Sequence, residues 1–406
     1  MTRFASLPRR VYRVARTFLY LLRLMGVAHI STTIRLAMAR TFPVTNDREH
    51  LEATIGWLCR AQDAANGDGV SAVFDFRKGW DVPYPETSGY ILATFLAGAD
   101  YLGRPSLSER ATRIADWEIS IQAPSGGVYS RPGSPDTRVF NTGQVILGWC
   151  ALFERTEQSR FLEAACRAGD YLLGIQEPDG TWRRDTYCGA RTYHARTDWG
   201  LLRLWKLTGD ERYVEAARLN LRWVMRQQRE NGWFANCGFN QDDPITHVID
   251  YTLIGVLECA LMDSSAFDRS PVDLVARSAD AICDIIGQPG IRGISGMIPA
   301  SFNEDWCSRD DHSCLTGNAQ LAYTLLRLNG QAANRRYEVA AESLIGALKS
   351  TQILGDAPPG LQGGLAGSFP VHTGYLANSV PNWAAKFFAD ALLASLLRKH
   401  KFNVSA

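Results

Sequence analysis

The sequence lacks the cysteine pattern of a disulfide-stabilised protein. Its 406 residues include nine cysteines, an odd number, and no two of them form a C-x-x-C pair. Five of them fall within apolar helical patterns, where small core residues are expected: Cys59, Cys150, Cys166, Cys259 and Cys283. This usage argues against a disulfide framework and favours a reducing compartment, so the sequence predicts a cytoplasmic location.

Acidic residues are absent from the first 46 positions, which contain eight arginines. Because the formal net charge of the whole chain is +1, residues 47–406 carry about −7. The basic character is therefore local. The rest of the chain has no basic stripe, no zinc-finger spacing and no aromatic RNP-like segment, so no nucleic acid partner is predicted.

The amino terminus also lacks a long hydrophobic run. Its longest uncharged stretch, residues 24–34, is shorter than the roughly 18 residues that a membrane span needs. Within residues 8–25 one helical face carries Arg9, Arg13, Arg16 and Arg23, and another is apolar. Such a basic amphipathic helix can lie on an anionic membrane surface, which would make the protein peripheral at the membrane. It can equally dock on the rest of the chain or on a second subunit.

Six similar segments follow one another between residues 47 and 400. Each has a helix that ends near a glutamine, a glycine-containing turn, a polar loop of about a dozen residues and a second, more apolar helix. The glutamines are Gln62, Gln122, Gln176, Gln228, Gln288 and Gln352. No proline-rich or serine-rich linker interrupts the repeats, so we expect a single domain over residues 47–406, preceded by the basic segment 1–46.

The apolar character of the second helices indicates whether the repeats form an open or a closed stack. Residues 145–153 and 384–397, for example, are apolar nearly all round, as expected for an inner ring. A hairpin of one amphipathic and one apolar helix cannot bury itself alone, so its neighbours must stack beside it. We therefore predict an all-α (α/α)6 toroid of six helical hairpins. The openings of the second helices, by which we mean the polar segments at their amino-terminal ends, would face one central cavity.

Residues 176–182, QEPDGTW, have the character Q-x-x-x-G-x-W, and residues 228–233 have a shorter form of it. Together with the six-hairpin plan, these segments resemble the α/α toroid superfamily over about residues 47–400. One branch of that superfamily contains squalene cyclases and prenyltransferases. Another is carbohydrate-active and contains unsaturated glucuronyl hydrolases, heparinase-type lyases, sugar epimerases and the helical domains of uronate C5-epimerases.

The residues that the isoprenoid branch requires are missing. A terpene cyclase of that branch uses a DxDD motif, which the sequence does not contain. A prenyltransferase uses a zinc site, but Cys307, His312 and Cys314 have no clear fourth ligand. We therefore predict no metal and no other cofactor. The resemblance to the carbohydrate branch implies a glycan bound where the inner helices begin.

The openings of the second helices contain the candidate catalytic residues. Glu86 in the first repeat could act as a general acid or base, or simply interact with the helix dipole. His194 and Asp198 are four residues apart, and His247 and Asp250 are three apart. A carboxylate that orients an imidazole is a recurring base arrangement, although each histidine also fits a structural role in which a backbone carbonyl satisfies it.

Aromatic, arginine and other polar side chains of the same loops are the candidate substrate-binding residues. Flat rings can stack on sugar faces, and arginines can pair with carboxylates. The predicted set is Tyr84, Trp80, Arg138, Tyr187, Tyr193, Arg196, Tyr251, Asp305, Trp306, His312, Tyr375 and Asn382. The arginines indicate an acidic glycan substrate or, alternatively, neutralise carboxylates of the cavity itself.

These residues predict an enzyme that acts on an acidic polysaccharide or oligosaccharide, in polysaccharide biosynthesis or editing. Hydrolysis would use Glu86 with Asp198, Asp250 or Asp305. Elimination or epimerisation would use His194 or His247 with a tyrosine. The residue types therefore do not distinguish between a glycoside hydrolase, a polysaccharide lyase and an epimerase. The alternatives are a non-catalytic toroid that binds glycan or protein at a membrane-associated assembly and, more weakly, an isoprenoid cyclase or prenyltransferase-like enzyme.

Overall fold

The computed structural model describes residues 7–239 and 243–404. Two helices come first: α1, Leu7–Met25, and α2, Ile30–Ala37. Among the described residues, no single helix has the length and apolar character of a membrane span. The segments Val11–Met25 and Val27–Ala37, which are bent by 120° relative to each other, reach that length and composition only as a pair.

The next twelve helices form six consecutive hairpins. In chain order these are α3 (Asp47–Asp63) with α4 (Pro85–Leu102), α5 (Pro105–Ser120) with α6 (Val139–Thr156), α7 (Ser159–Ile175) with α8 (Ala195–Thr208), α9 (Glu211–Arg226) with α10 (Thr246–Met262), α11 (Pro271–Ile286) with α12 (Leu315–Ala332), and α13 (Arg335–Thr351) with α14 (Asn382–Val404). The second helices contact one another in sequence, and α14 contacts α4, so they form a closed inner ring. The predicted (α/α)6 toroid is confirmed.

Outer and inner helices begin differently. The outer helices α3, α9, α11 and α13 follow Asn46, Asp210, Ser270 and Asn334, whose side chains accept a hydrogen bond from a backbone N–H of the first turn. The inner helices α4, α6, α8, α10 and α12 begin without a side-chain cap. Their amino-terminal ends, which carry the positive end of the helix dipole, are therefore not neutralised by a capping side chain.

The glutamine at the end of an outer helix joins neighbouring hairpins. Gln122 Nε2 donates to the carbonyl oxygen of Gly126 in its own turn (2.8 Å) and to that of Ala164 in α7 (3.0 Å). The corresponding glutamines of three other hairpins also donate to the following outer helix. Gln352 donates to the carbonyl oxygen of His50 in α3 (3.2 Å), across the point where the ring closes. The repeated glutamine is thus a structural residue that fastens the toroid.

The repeated glycine allows the turns to approach the next outer helix. Gly126 has φ +93°, and a Cβ there would lie 2.2 Å from the carbonyl oxygen of Arg167. Gly363 has φ +81°, and a Cβ there would lie 2.2 Å from the carbonyl oxygen of Ala53. A larger residue at either position would meet both the backbone strain and the clash.

Short strands join the loops over the inner-helix openings. Strands β1 (Val73–Asp75) and β2 (Gly79–Trp80) form a hairpin in the first repeat. Strands β3 (Ser313–Cys314) and β4 (Ser368–Phe369) pair antiparallel between the fifth and sixth repeats. Strand β5 (Ser379–Pro381) pairs antiparallel with β1 and gives the order β2-β1-β5. Because β5 belongs to the last repeat and β1 to the first, this sheet closes the ring at the same end as the inner-helix openings.

Candidate functional site

A cavity of about 480 Å³ lies where the inner helices begin. We call it the central cavity. Its wall combines one buried carboxyl group with several aromatic rings: Glu86 from α4, His247 and Tyr251 from α10, Trp383 from α14, and Tyr84, Tyr187, Phe239 and Tyr375 from the loops. Asp81 and Arg131 also line it and are exposed to solvent. An aromatic wall with a few convergent polar groups is the usual character of a small-molecule site.

Glu86 is the buried carboxyl group of the central cavity. It lies in the first turn of α4, directly after Pro85, and is 8% exposed. The hydroxyl groups of Tyr84 and Tyr187 are 2.6 Å apart, and Tyr187 donates to Asn141 Oδ1 at 3.0 Å. Burial raises the pKa of Glu86 to about 7, although Tyr84, Arg196 and Tyr187 oppose the shift. Near neutral pH the group can therefore give or take a proton.

His247 forms a second part of the wall, in the first turn of α10. Its ring stacks on Tyr375 with the centroids 5.3 Å apart and meets the edge of Tyr251 at 4.8 Å. Within the described residues its Nδ1 atom is buried without a hydrogen-bond partner. Burial lowers the pKa of His247 to about 3; the Gln320 side chain opposes this shift and Arg196 adds to it. The imidazole is therefore neutral near pH 7 and able to accept a hydrogen bond from a bound molecule.

Arg196 lies beneath the central cavity and does not line it. Its guanidinium group is buried, with the carbon atom 5.1 Å from the Tyr251 ring centroid and 5.9 Å from that of Tyr90. Its Nε donates to Gln144 Oε1 at 2.8 Å. The same side chain lines a second cavity of about 380 Å³, further along the ring axis. Arg196 therefore separates the two cavities and influences both.

Asp250 lines the second cavity and not the central one. It is buried beside Lys386 and Arg196, and burial raises its pKa to about 7, while Thr324, Arg196 and Lys386 oppose the shift. His247 and Asp250 were predicted to form one acid and base element. The structure instead divides them between two cavities, because three residues along a helix advance the side chain by about 4.5 Å.

His194 and Asp198 line neither cavity and are fully buried. The His194 ring packs edge-on against Trp182 and Tyr193 at 6.0 and 4.9 Å. Within the described part of the chain, neither ring nitrogen of His194 and neither carboxyl oxygen of Asp198 has a hydrogen-bond partner. Burial lowers the pKa of His194 to about 3 and raises that of Asp198. The predicted hydrogen-bonded pair is therefore not formed.

Among the predicted substrate-binding residues, Tyr84, Tyr187, Tyr251 and Tyr375 line the central cavity. Three others pack behind its wall. Trp80 packs against Trp57 and Phe74, Arg138 lies 5.5 Å over the Tyr187 ring centroid, and Tyr193 contacts Phe140 and Phe239. These three side chains support the wall and do not form it.

Four further predicted residues lie elsewhere. Asn382 Nδ2 donates to the carbonyl oxygen of Ser71 (3.0 Å) and to Thr87 Oγ1 (2.8 Å), so it anchors the first repeat to the last. Trp306 packs edge-on against Trp233, next to Asp305 in the same loop, and His312 lies 3.7 Å from a carboxyl oxygen of Asp310. Asp305, Trp306 and His312 do not line the central cavity.

Phe239, Tyr90 and Arg131 also line the central cavity and are not among the residues predicted from the sequence. Tyr90 follows Glu86 by four residues in α4, and this helical spacing is a signal that places both on one face. Arg131 and Phe239 are in loops, where no periodicity points to them. Among the described residues, no group of three or more His, Cys, Asp or Glu side chains is arranged to hold a metal ion.

Comparisons with known proteins support the carbohydrate branch. A family model of the β-L-arabinofuranosidase GH127 catalytic domain matches residues 86–264. No curated protein matches the chain. A solved unsaturated glucuronyl hydrolase from Bacillus sp. GL1, described as responsible for glycosaminoglycan degradation, has 15% identity and a TM-score of 0.67, with 86% of this chain and 96% of that chain covered.

Two epimerase structures are similar to the same extent. A sugar epimerase from a ruminal bacterium has 13% identity and a TM-score of 0.70, with 87% of this chain and 98% of that chain covered. A cellobiose 2-epimerase from Bacillus thermoamylovorans B4167 has 11% identity and a TM-score of 0.67, with coverages of 85% and 97%. The resemblance to carbohydrate-active (α/α)6 toroids is confirmed, and the match to a glycoside hydrolase catalytic domain agrees with the predicted enzyme type.

Proposed function

We propose that the chain is an enzyme that cleaves an acidic glycan in the central cavity, with Glu86 as the proton donor to the leaving group. The observation that carries the proposal is the position of Glu86. It is the buried carboxyl group in the cavity wall, and burial raises its pKa to about 7. A carboxyl group that stays protonated near neutral pH is what protonation of a glycosidic oxygen requires.

The aromatic rings of the cavity support a sugar as the ligand. Tyr187, Phe239, Tyr375 and Trp383 line the wall, and such rings pack against the C–H faces of a pyranose or furanose. The polar hydroxyl groups of Tyr84 and Tyr187 meet close to Glu86, where a glycosidic oxygen would have to lie for proton transfer.

Two features support an acidic glycan in particular. The inner helices α4 and α10 begin at the cavity without side-chain caps, so the positive ends of two helix dipoles are directed at it. Arg131 lines the rim and is exposed, and the described residues provide no ion-pair partner within 4.0 Å of it. A carboxylate on the sugar could pair with this guanidinium group.

Hydrolysis is the reaction that the family match favours, because the matched model is that of a glycoside hydrolase catalytic domain beginning at Glu86. In this reaction Glu86 protonates the leaving oxygen while the bond from that oxygen to the anomeric carbon breaks. A second group removes a proton from the attacking water. Among the described residues, Asp81 is the other carboxylate that lines the central cavity, and it is a candidate for this base.

Elimination beside a uronate is the second candidate reaction, and the neutral His247 ring favours it. Its buried Nδ1 has no partner among the described residues, and the unprotonated ring is the form that a base must have to take the proton next to the carboxylate. Tyr251, 4.8 Å from His247 between ring centroids, or Glu86 would then protonate the leaving oxygen. The same proton abstraction, followed by return of a proton to the opposite face of the carbon and without cleavage of the glycosidic bond, would give epimerisation.

One experiment separates these reactions. The purified protein is incubated with acidic and neutral polysaccharides, and reducing ends and the ultraviolet absorbance of unsaturated uronates are followed together. Reducing ends without absorbance, lost in Glu86→Gln, are expected for hydrolysis. Absorbance lost in His247→Phe would indicate elimination. If every substrate is bound but none is altered, even in its sugar configuration, the chain is a non-catalytic glycan-binding toroid and the proposal is wrong.

The proposed cellular role is the synthesis or editing of an acidic polysaccharide in the cytoplasm, at the membrane where such polymers are assembled. It is supported by the free state of all nine cysteines, as expected for a reducing compartment, and by the basic amino-terminal helix. Cell fractionation tests it. Recovery of the protein in a secreted or periplasmic fraction would contradict the proposed role.

A further inference from the structure

The two amino-terminal helices expose large apolar side chains. In α1, Val11 is 60% and Leu19 61% exposed, and Val27, between the helices, is 80% exposed. Met38 directly follows α2 and is exposed as well. An apolar depression of about 640 Å³ lies between the helices, with Val14 and Phe18 among its lining residues. Several neighbouring exposed apolar side chains of this size mark a surface that contacts something other than water.

The same segment carries positive charge only. The first 46 residues of the chain, which include both helices, contain eight arginines and no acidic residue. Arg9, Arg13, Arg16 and Arg23 are exposed on α1. Arg23 also lines a depression together with Arg77 and Lys78 of the β1–β2 turn, so the basic surface continues from α1 onto the toroid.

We propose that α1 and α2 form a docking surface for an anionic lipid bilayer. The exposed apolar side chains would enter the interface between headgroups and acyl chains, and the arginines would remain at the level of the anionic headgroups. A second copy of the chain is a poorer occupant, because pairing two such surfaces would bring arginines against arginines. The combination of exposed apolar side chains and a row of arginines on α1 therefore favours an anionic bilayer over a protein copy.

The position of α1 connects this surface to the central cavity. Leu21 is buried against the toroid, and Thr17 Oγ1 donates to Asn378 Oδ1 at 2.5 Å. Asn378 belongs to the loop whose residues Tyr375 and Leu376 line the cavity. Docking through α1 would therefore hold the cavity close to the membrane surface. Combined with the proposed function, on which this last step rests, the geometry favours an acidic glycan that is carried at a membrane.

The test uses the full-length protein and two kinds of vesicle, one of phosphatidylcholine and one that also contains phosphatidylglycerol. Sedimentation measures the bound fraction without any glycan, so failure here is separate from failure of the proposed function. We expect binding to the phosphatidylglycerol vesicles, weakened by salt, and little binding to phosphatidylcholine alone. Binding that is equal to both vesicles, or absent from both at low salt, overturns the proposal.

Matched variants localise the binding surface. Val11→Asp places a charge in the apolar face and should weaken vesicle binding by roughly tenfold or more. Val339→Asp, at a valine of α13 that is 59% exposed, is the control and should leave binding unchanged. Arg13→Glu should weaken binding roughly fivefold or more, whereas Arg222→Glu, an exposed arginine of α9, should not.

Two outcomes would contradict the assignment of the surface. If Val11→Asp and Val339→Asp bind vesicles equally well, α1 is not the docking element. If light scattering shows a dimer that Val11→Asp dissociates, and the wild-type protein does not bind the vesicles, a second copy covers this face. Circular dichroism of each variant verifies that a lost interaction does not reflect unfolding.

Discussion

Replacing Glu86 by glutamine should remove activity and, at the same time, stabilise the protein at alkaline pH. The carboxamide has nearly the same shape as the carboxyl group but cannot ionise. In the folded protein burial raises the pKa of Glu86 from its ordinary 4.5 to about 7. Below pH 4.5 the group is protonated in both the folded and the unfolded chain, so it contributes no pH dependence.

Between pH 4.5 and 7 the folded protein holds a proton on Glu86 that the unfolded chain has released. The free energy of unfolding of the wild type therefore falls as the pH rises through this range. Each pKa unit corresponds to about 1.4 kcal/mol, so the loss is about 3 kcal/mol. Glu86→Gln does not undergo this loss. Its stability relative to the wild type should increase by about 3 kcal/mol between pH 4.5 and 8.

Urea unfolding at several pH values measures this difference. Asp250 also has its pKa raised by burial, but it is present in both proteins, so its direct contribution is similar in each. Glu109→Gln, at an exposed glutamate of α5, is the matched control and should parallel the wild type at every pH. If Glu86→Gln also parallels the wild type from pH 5 to 8, the carboxyl group is not buried as described and the argument for a protonated acid fails.

Three further predictions concern the catalytic parameters. Arg196→Met should move the limb of the pH–rate profile that belongs to Glu86 to higher pH, because the guanidinium group lowers the pKa of that carboxyl group. His247→Phe should reduce an elimination activity by roughly 10²- to 10⁴-fold and leave hydrolysis largely intact, as measured by the two product assays. Trp383→Ala should raise KM by roughly tenfold through loss of a stacking ring, whereas Trp306→Ala, outside the cavity, should not.

The architecture could be predicted from the sequence because the repeats contain the residues that form the contact with the next outer helix. The glutamine and glycine of the turn are required by the contact with the next outer helix, as Gln122 and Gly126 show. Five glutamines make this contact with the next outer helix among the described residues, and its repetition specifies a ring. The closure of the ring through Gln352 follows from the same repeat.

The site was predicted only in part, because the loops and helix openings do not reveal the rotation of each inner helix about its axis. In α8, Arg196 points towards the ring axis, and Asp198, two residues later, is rotated by about 200° and faces away. In α4, Glu86 and Tyr90 are four residues apart and share the inward face. If the helical rotation of about 100° per residue is counted from one inward-facing residue of each helix, Asp198 is excluded from the cavity wall and Tyr90 is included in it.

The arrangement of Glu86, Arg196 and Asp250 leads to a prediction about the second cavity. Arg196 lowers the pKa of both carboxyl groups, and each group retains a pKa of about 7. Because two carboxylates near the same cation repel each other, we expect ionisation of one carboxyl group to disfavour ionisation of the other.

Asp250→Asn removes a negative charge that would repel ionised Glu86 and leaves Arg196 in place. The pKa of Glu86 should then fall, so its limb in the pH–rate profile should move to lower pH, opposite to the effect of Arg196→Met. KM should change little, since Asp250 does not line the central cavity. A shift in the same direction for both variants would show that Asp250 does not repel Glu86, and that the second cavity has no electrostatic influence on the proposed reaction.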